Sequence, residues 1–427
     1  MSLGKRVPFR NMSPTQWENL ALAALLIFYL IQTGFDLFWR NTCGHLAIDY
    51  CAFWSAGRVA NLSGFADVYN LDLLRQIQFE IAPRYADLSA FVVSPIAYFP
   101  VFVIPFQFLS LLPPFSGFVL WTLVNMATLI FYLRFFIRKT TGQVLQMRLL
   151  ILVFLSLPVY WNFFNGQVNV WLVICIGEFM RAAANEKPFQ AGLWLAGLLL
   201  KPQTLLLIGV ALLLQRSIKV LAGLMIAFVV LLGLSFALIG YDGLQQLVRV
   251  WLGFTSGLPT NDVEIMMNWR MIGLHLGNVS SPLLGWIVAG LGMAATFFAA
   301  VYIWRKALDF SSLYFSVALL GLLAATGLFA WHSHIHTAMM LIPPLAYLIV
   351  RKEMSGKIFA WWLFVPAVIY VVAFLLAPLI QMNILPPRIG ELLDLLRGVG
   401  GFGVNILLLV WAMKKLSKTH LVARISS

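Results

Sequence analysis

An acidic residue follows the first apolar stretch of the chain. Asp49 lies in a segment from His45 to Arg58 that also holds Tyr50 and Phe53. A carboxylate in apolar surroundings can act as a general base, because burial raises its pKa and lets it take a proton from a bound hydroxyl. Alternatively, Asp49 is an ordinary loop acid paired with Arg58. Residue type alone leaves both interpretations open.

Amide and ammonium side chains interrupt two later apolar stretches. Asn165, Gln167 and Asn169 could bind sugar hydroxyls, or they could tie membrane helices together. Lys201 precedes Pro202 inside another apolar run, where an ionisable residue indicates a functional site by default. Its ammonium could hold a lipid phosphate, or it could extend to the membrane interface. We favour the phosphate, because proline predicts a break in the helix there.

Two further groups of nitrogen-bearing side chains occur late in the chain. His332, His334 and His336 are three of the six histidines, and no acidic ligand pattern of a metal site accompanies them. We therefore predict that these histidines contact phosphate or sugar, with His334 and His336 as candidates, rather than a metal ion. Arg270, which follows Met267-Asn268-Trp269, could pair with a phosphate or mark the membrane interface.

The composition indicates that these side chains lie in a membrane protein. Of 427 residues, 61% are hydrophobic and 11% are charged, whereas soluble domains carry about 25% charged residues. A net charge of +13 could indicate nucleic-acid binding in a soluble protein. Here Lys and Arg cluster at the ends of apolar runs without a stripe of stacking aromatic residues, so no nucleic-acid partner is expected. The sequence predicts an all-α polytopic membrane protein.

The apolar runs predict about 11 to 13 transmembrane helices in a single domain, 1–427, because each crossing needs about 20 residues. The candidate runs are 17–39, 92–112, 115–137, 149–163, 168–182, 189–215, 219–239, 281–303, 311–330, 336–350, 357–380 and 399–414. The first run is too long for a signal peptide. Basic residues place both termini in the cytoplasm; they are Lys5, Arg6, Arg10, Lys414, Lys415, Lys418 and Arg424.

The middle of the chain conflicts with a simple alternation of crossings. Counting every run as a crossing puts Arg138, Lys139 and Arg148 outside, against the positive-inside rule. These residues return to the cytoplasm if the proline-containing runs 92–112 and 189–215 are broken or re-entrant. The sequence leaves this choice open, and with it the depth of Lys201.

The segment 40–91 is predicted to be an outer loop that carries Asp49, and the loops 240–280 and 382–398 are also predicted to face outward. Within it, the stretch from Leu71 to Phe91 mixes apolar and charged side chains as an amphipathic helix on the membrane surface does. Cys43 and Cys51 lie in the same loop. They could form a disulfide if the loop faces an oxidising compartment, or they could be two free small residues.

Three stretches together resemble the integral-membrane glycosyltransferases of family 87. They are Asp49-Tyr-Cys-Ala-Phe53-Trp-Ser-Ala-Gly57 through Asn61-Leu-Ser-Gly64 to Val68-Tyr69-Asn70; Val93-Ser94-Pro95 through Pro105; and Asn165-Gly-Gln-Val-Asn169 followed by Ala191-Gly192, Gly197 and Lys201-Pro202. They cover roughly the first half of the chain. The sequence departs from the family pattern at Ser94, where a Pro-Pro pair is usual, and at Asn70, where an acid is usual.

The resemblance implies a GT-C-like bundle that transfers a sugar, most often mannose, from a polyprenyl-phosphate donor to a lipid or glycan acceptor. The site would face the periplasm or exterior of the cell (inner) membrane, with Asp49 as the base. A family histidine near the donor corresponds to His334 or His336. The other expected substrate contacts are Arg58, Tyr69, Asn165, Gln167, Asn169, Lys201 and Arg270.

A single base fits an inverting displacement, because a lipid-phosphate leaving group departs without protonation. Nearby cations can stabilise the phosphate, so neither a divalent metal nor another cofactor is expected. Two alternatives remain from the residues: a transporter or flippase of envelope lipids or glycans, with Lys201 and the histidines along its pathway, and a non-catalytic scaffold of the cell envelope. A transporter would make Asp49 dispensable, whereas a scaffold would tolerate substitution throughout 40–91.

Overall fold

The computed structural model describes residues 13–39, 42–43, 46–82, 92–255, 262–306 and 313–425, which form helices without any β-strand. The α-helices in chain order are α1 (Pro14–Trp39), α2 (Ile48–Leu62), α3 (Leu71–Ile81), α4 (Ile104–Leu109), α5 (Pro114–Thr141), α6 (Met147–Phe154), α7 (Leu157–Asn165), α8 (Asn169–Ala184), α9 (Pro188–Leu195), α10 (Leu206–Leu214), α11 (Ile218–Thr255), α12 (Trp269–Val279), α13 (Pro282–Arg305), α14 (Leu313–Phe329), α15 (Ile342–Val350), α16 (Gly356–Gln381) and α17 (Pro387–Ile425). The all-α polytopic class is confirmed.

Within the described ranges, six helices are long and apolar enough to cross a membrane, and the bent pair α6 and α7 would make a seventh span. The six are α1, α5, α11, α13, α16 and α17. Several other predicted crossings are shorter apolar helices that meet at breaks, such as the two on either side of Lys201. Such breaks are tolerated in a membrane protein where they are covered by protein or line a cavity.

Helix α14 lies at the centre of the bundle. Every residue from Phe315 to Leu328 is buried, as expected of a helix that is apolar on all sides. It packs against α13, α15 and α17. In the most apolar stretch of α11, by contrast, 17% of the residues are buried. The remaining apolar surface of α11 therefore suits contact with lipid.

The run 92–112 is not a crossing helix. Residues 92–99 are irregular, and a 3₁₀ turn at Pro100–Val103 followed by α4 ends at Leu109. A helix of this length reaches about 15 Å, roughly half of the hydrocarbon thickness of a bilayer. The next crossing after α1 is therefore α5, and Arg138 and Lys139 lie in its last turn. The broken-run alternative removes the conflict with the positive-inside rule.

Ion pairs join helix ends that the basic residues predict to be cytoplasmic. Arg148, at the start of α6, pairs with Glu18 near the start of α1, with 2.5 Å between nitrogen and oxygen. Lys415, near the end of α17, pairs with Glu353 after α15 at 3.0 Å. Each contact therefore joins two helix ends that the charges assign to the same side of the membrane.

The predicted amphipathic helix is confirmed over Leu71–Ile81, and its remaining part, 83–91, lies outside the described residues together with His45 and the basic residues of 1–12. The Asn70 side chain caps this helix by accepting hydrogen bonds from the backbone amides of Asp72 and Leu73. Asparagine caps a helix as well as an aspartate does. The departure from the family pattern at this position therefore keeps the capping function.

Two predicted outer loops are partly helical. Helix α11 is interrupted at Gly240 and continues to Thr255, and α12 covers Trp269–Val279, so both occupy parts of the predicted loop 240–280. Helix α17 begins at Pro387, which reduces the predicted loop 382–398 to residues 382–386. Proline at the first helical position explains this early start, because its missing amide proton would have had no partner there.

Candidate functional site

A cavity of about 1250 Å³ lies where several helix ends meet. Six of the predicted site residues line it: Asp49, Asn165, Gln167, Lys201, His334 and His336. The other four predicted residues, Arg58, Tyr69, Asn169 and Arg270, do not. Pockets for one small ligand usually hold about 300–1,000 Å³, so this cavity has room for two substrates.

Asp49 lies in the first turn of α2. The backbone is fixed before it by a hydrogen bond at Ala47 and after it by a disulfide at Cys51. The Ala47 amide donates to the Phe164 carbonyl at 2.8 Å, which joins the start of α2 to the end of α7. Cys43 and Cys51 form a disulfide across this turn, with Cα atoms 5.5 Å apart. Ala47 itself has a left-handed backbone (φ 61), which costs a non-glycine residue energy. These links therefore hold the carboxylate in a set position.

Gln167 connects Asp49 to two tyrosines. Its side chain hydrogen-bonds to Asp49, and its Oε1 accepts a hydrogen bond from the Tyr98 hydroxyl at 3.4 Å. The Tyr98 carbonyl accepts from the Tyr69 hydroxyl at 2.5 Å. Tyr69 therefore does not line the cavity itself but positions Tyr98, which does. The sequence contains no local signal for Tyr98, because its place depends on the path of the irregular segment 92–99.

Gly166 allows Gln167 to reach Asp49. Gly166 ends α7 with a left-handed backbone (φ 69), and its carbonyl accepts a hydrogen bond from the Trp121 indole at 2.9 Å. A Cβ atom at this position would lie 2.4 Å from the Cβ of Tyr50. Both the backbone conformation and the close approach of α2 therefore require glycine.

We expect Gly166→Ala to destabilise the protein by roughly 2–5 kcal/mol, combining left-handed strain with overpacking against Tyr50. Gly142→Ala is the matched control, because Gly142 also ends a helix with φ 71 but has open space around the added Cβ. It should cost only about 1–2 kcal/mol. Thermal unfolding in detergent measures both, and equal losses would contradict a tight α2–α7 contact at Gly166.

Lys201 and the three histidines form the cationic and imidazole side of the cavity. Lys201 lies between two 3₁₀ turns and is 6% exposed. The Gln203 amide donates to the His332 carbonyl at 3.3 Å, which joins the lysine break to the histidine loop. The ring centroids of His332 and His334 are 4.7 Å apart, and those of His334 and His336 are 5.7 Å apart. The histidine that sequence reasoning left aside, His332, also lines the cavity.

The His332 imidazole is neutral at neutral pH. Burial, with the positive charges of Lys201 and Arg270, lowers the pKa of His332 to about 4. It can therefore supply a hydrogen bond but no charge to a bound phosphate. In the part of the chain that the structure describes, no three His, Cys, Asp or Glu residues are grouped to hold a metal ion.

Arg270 lies next to the cavity wall rather than on it. Its guanidinium is 4.5 Å from the centre of the Trp331 ring, and Trp331 lines the cavity. Asn268 positions this segment, because its side-chain amide donates to the carbonyls of Ala330 at 2.9 Å and Trp331 at 3.2 Å. Asn268 is thus a positioning residue that sequence reasoning noted only as a neighbour of Arg270.

Arg58 and Asn169 do not line the cavity. Arg58 is nine residues after Asp49 on α2, about 13.5 Å along the helix axis. That separation favours the base interpretation of Asp49 over a pair with Arg58. Asn169 is buried, and its backbone and side-chain nitrogens both donate to the Asn162 Oδ1, at 3.1 and 3.0 Å. Asn169 therefore joins α7 to α8, which fits the alternative that this amide ties helices together rather than binding sugar hydroxyls.

Several lining residues were missed by sequence reasoning. They are Gln32, Asp36, Trp161, Gln203, Asp262, Glu264, Tyr370, Asp394 and Arg397. Asp36 did carry a signal, because it is an ionisable residue inside the first apolar run. Gln32 lies in the same apolar run, and Trp161 and Tyr370 are aromatic residues within apolar helices. The remaining five lie in loops, 3₁₀ turns or the first part of α17, where the residue type alone indicates no site.

The electrostatic surroundings of Asp49 suit a general base. Burial raises the pKa of Asp49, a hydrogen bond from Gln167 and the charge of Lys201 lower it, and Asp262 raises it; the net direction is upward. A raised pKa brings the carboxylate closer to the working pH and makes it a stronger base. The base must be ionised to act, so activity should fall as the pH drops through this raised pKa, at higher pH than for an exposed aspartate.

We expect Gln167→Leu to move the acidic limb of the pH–rate profile to higher pH. The substitution removes a hydrogen bond that lowers the pKa of Asp49, so the carboxyl retains its proton to a higher pH. The measurement is kcat/KM against pH, with Asn125→Leu as control, because Asn125 is also a buried amide but does not line the cavity. An unchanged limb in Gln167→Leu would show that Asp49 is not the titrating base.

Comparison with known families gives a match to glycosyltransferase family 87 over residues 97–326. The match covers more than half of the chain and includes Gln167, Lys201 and Arg270, whereas Asp49 and the histidine loop lie outside it. The same comparison against curated proteins and against solved structures finds no match.

Proposed function

Since the chain belongs to glycosyltransferase family 87, we propose that it transfers a sugar, mannose in the first instance, from a polyprenyl phosphate to an acceptor hydroxyl with inversion. Membership makes the protein a glycosyltransferase and favours an enzyme over the transporter and scaffold alternatives. The observation that carries the proposal is that the Asp49 carboxylate and the Lys201 ammonium line one cavity, which has room for two substrates.

The proposed reaction is a single displacement. Asp49 takes the proton of the acceptor hydroxyl while the acceptor oxygen attacks the anomeric carbon. The bond between that carbon and the phosphate oxygen breaks, and the electron pair leaves with the polyprenyl phosphate. Lys201 stabilises the negative charge that grows on the phosphate, assisted by hydrogen bonds from His334 and His336. One in-line step inverts the anomeric configuration.

Two observations support a site on the non-cytoplasmic side. The disulfide between Cys43 and Cys51 sits two residues from Asp49, and disulfides persist in oxidising compartments outside the cytoplasm. The loops that line the cavity also alternate along the chain with the basic helix ends, which the positive-inside rule assigns to the cytoplasm. The proposed location is therefore the outer face of the cell membrane, as a multi-pass protein.

Thiol counting tests this orientation. Protein taken from its native membrane, denatured and treated with a PEG-maleimide should gain one adduct, at Cys175, because Cys43 and Cys51 are paired. After reduction it should gain three adducts. Three adducts without reduction would contradict an oxidising environment for the Asp49 turn.

The direct test is sugar transfer by purified protein in lipid nanodiscs. Radiolabelled polyprenyl-phosphate mannose is supplied with membrane-lipid and glycan acceptors, beside the same carrier bearing glucose or arabinose. Mannosylated product with an inverted anomeric centre is the expected result. Transfer of another sugar alone would change the sugar but keep the mechanism, whereas a retained configuration would contradict a single base at Asp49.

A further inference from the structure

A second polar group lines the cavity at the outer part of α1. Gln32 and Asp36 lie one helical turn apart, so both face the same side of α1. They are 3% and 2% exposed, and both line the cavity. A buried amide and a buried carboxylate within a membrane-spanning helix are costly unless they serve a site. The proposed transfer chemistry assigns neither of them a role.

Tyr370 of α16 is the centre of this group. Gln32 donates a hydrogen bond to the Tyr370 hydroxyl. The Trp161 ring meets Tyr370 edge to face with centroids 5.3 Å apart, and the Arg397 guanidinium lies 5.8 Å from the Tyr370 centroid. We name these five lining residues, Gln32, Asp36, Trp161, Tyr370 and Arg397, the Tyr370 cluster.

The Gln32 amide has hydrogen-bonding capacity left over. Its Oε1 is buried and has no hydrogen-bond partner within the ranges that the structure describes. A buried acceptor without a partner is costly, and a bound hydroxyl would satisfy it. This observation is independent of the acidic residue beside it and points toward a ligand that carries O–H groups.

The chemistry of the cluster suits a sugar or polyol better than a phosphate or an acyl chain. Aromatic rings pack against the apolar C–H faces of a sugar, while amide, carboxylate and guanidinium groups bind its hydroxyls. The Asp36 carboxylate would repel a phosphate, and Arg397 is already paired with Asp394 at 3.1 Å. An acyl chain would leave the buried Oε1 of Gln32 unsatisfied.

We propose that the Tyr370 cluster binds the hydroxyl-rich head group of the acceptor, as a sugar or polyol subsite distinct from the phosphate side at Lys201. The inference rests on the proposed transferase function and assigns the second substrate to its place in the cavity. The donor phosphate then lies against Lys201 and the histidines. The acceptor approaches from α1 and α16, and Asp49, on the same cavity, takes its proton.

The test measures binding of an acceptor analogue without turnover. Octyl glucoside and octyl mannoside are the probes, and the octyl ether of tetraethylene glycol is the control with the same alkyl chain and no sugar. Binding to protein in nanodiscs is followed in the Asp49→Asn background. We expect the glycosides to bind more tightly than the ether. Gln32→Leu and Asp36→Asn should each weaken glycoside binding roughly tenfold, because each loses a buried hydrogen bond.

Asn19→Leu is the matched control on α1, because Asn19 is exposed and does not line the cavity. It should leave glycoside binding unchanged, and circular dichroism with thermal unfolding checks that all variants fold. Equal binding of ether and glycosides, or glycoside binding unaffected by both variants, would overturn the subsite. If glycoside binding depended on Gln32 and Asp36 but the protein with Asp49 intact transferred no sugar, the proposed reaction would be contradicted and the subsite retained.

Discussion

Asp49→Asn should lower the rate of sugar transfer by about 10²–10⁴-fold, the contribution expected of a positioned general base. Asparagine keeps the size of the side chain and can still contact Gln167, but it cannot accept the proton of the acceptor hydroxyl. Donor binding should change little, because in the proposed mechanism Lys201 and the histidines contact the phosphate. The measurement is kcat and donor KM in nanodiscs at matched protein concentration.

Asp72→Asn is the control for this substitution. Asp72 belongs to the same outer segment, but its side chain is 86% exposed and does not line the cavity. It should retain activity within about twofold, because exposed side chains far from a site contribute little. Full activity in Asp49→Asn would move the base to another lining carboxylate, such as Asp262 or Asp36, and would reject the proposed mechanism.

Lys201→Met is expected to lower kcat by about 10²–10³-fold, because Lys201 is buried and a preorganised donor facing developing charge contributes that much where water is excluded. Methionine nearly preserves the length of the side chain and removes the charge. The substitution also removes a positive charge that lowers the pKa of Asp49. The acidic limb of the pH–rate profile should therefore shift to higher pH. A purely structural role for Lys201 would lower stability without this shift.

Lys219→Met serves as the comparison for the lysine. Lys219 is exposed in the first turn of α11 and does not line the cavity. Both its kcat and its pH profile should match those of the wild type. If Lys201→Met retained both kcat and the acidic limb of the wild-type pH–rate profile, another residue would have to hold the phosphate. Arg270, beside Trp331, would be the next residue to test.

The membrane class, most crossing helices and the family could be predicted from the sequence. Hydropathy and basic helix ends are local signals, because each apolar run must bury itself in lipid or protein wherever it lies. The same locality explains why Asp49 and Lys201 could be selected, since an ionisable group within or beside an apolar run is costly unless it has a use. Only the resemblance to family 87 implied that these two residues serve one site, because they are far apart in the chain and no local pattern relates them.

The conformation of the proline-containing runs could not be predicted from local sequence. Hydropathy alone could not distinguish a crossing helix at 92–112 from an irregular segment with a short helix, since both are apolar. In the structure this segment packs its irregular part beside the site, where Tyr98 holds Gln167 and its carbonyl accepts from Tyr69. That outcome depends on tertiary contacts between segments far apart in sequence.

What the amino-acid sequence by itself determined is the membrane environment and part of the set of groups able to do chemistry. What only the tertiary structure decided is their assembly: the Cys43–Cys51 pairing, the tie between Gln203 and the histidine loop, and the meeting of Gln32 with Tyr370. The physical reason is distance. Hydrogen bonds require placement within a few tenths of an ångström, and that placement comes from helix packing rather than from the pattern of neighbouring residues.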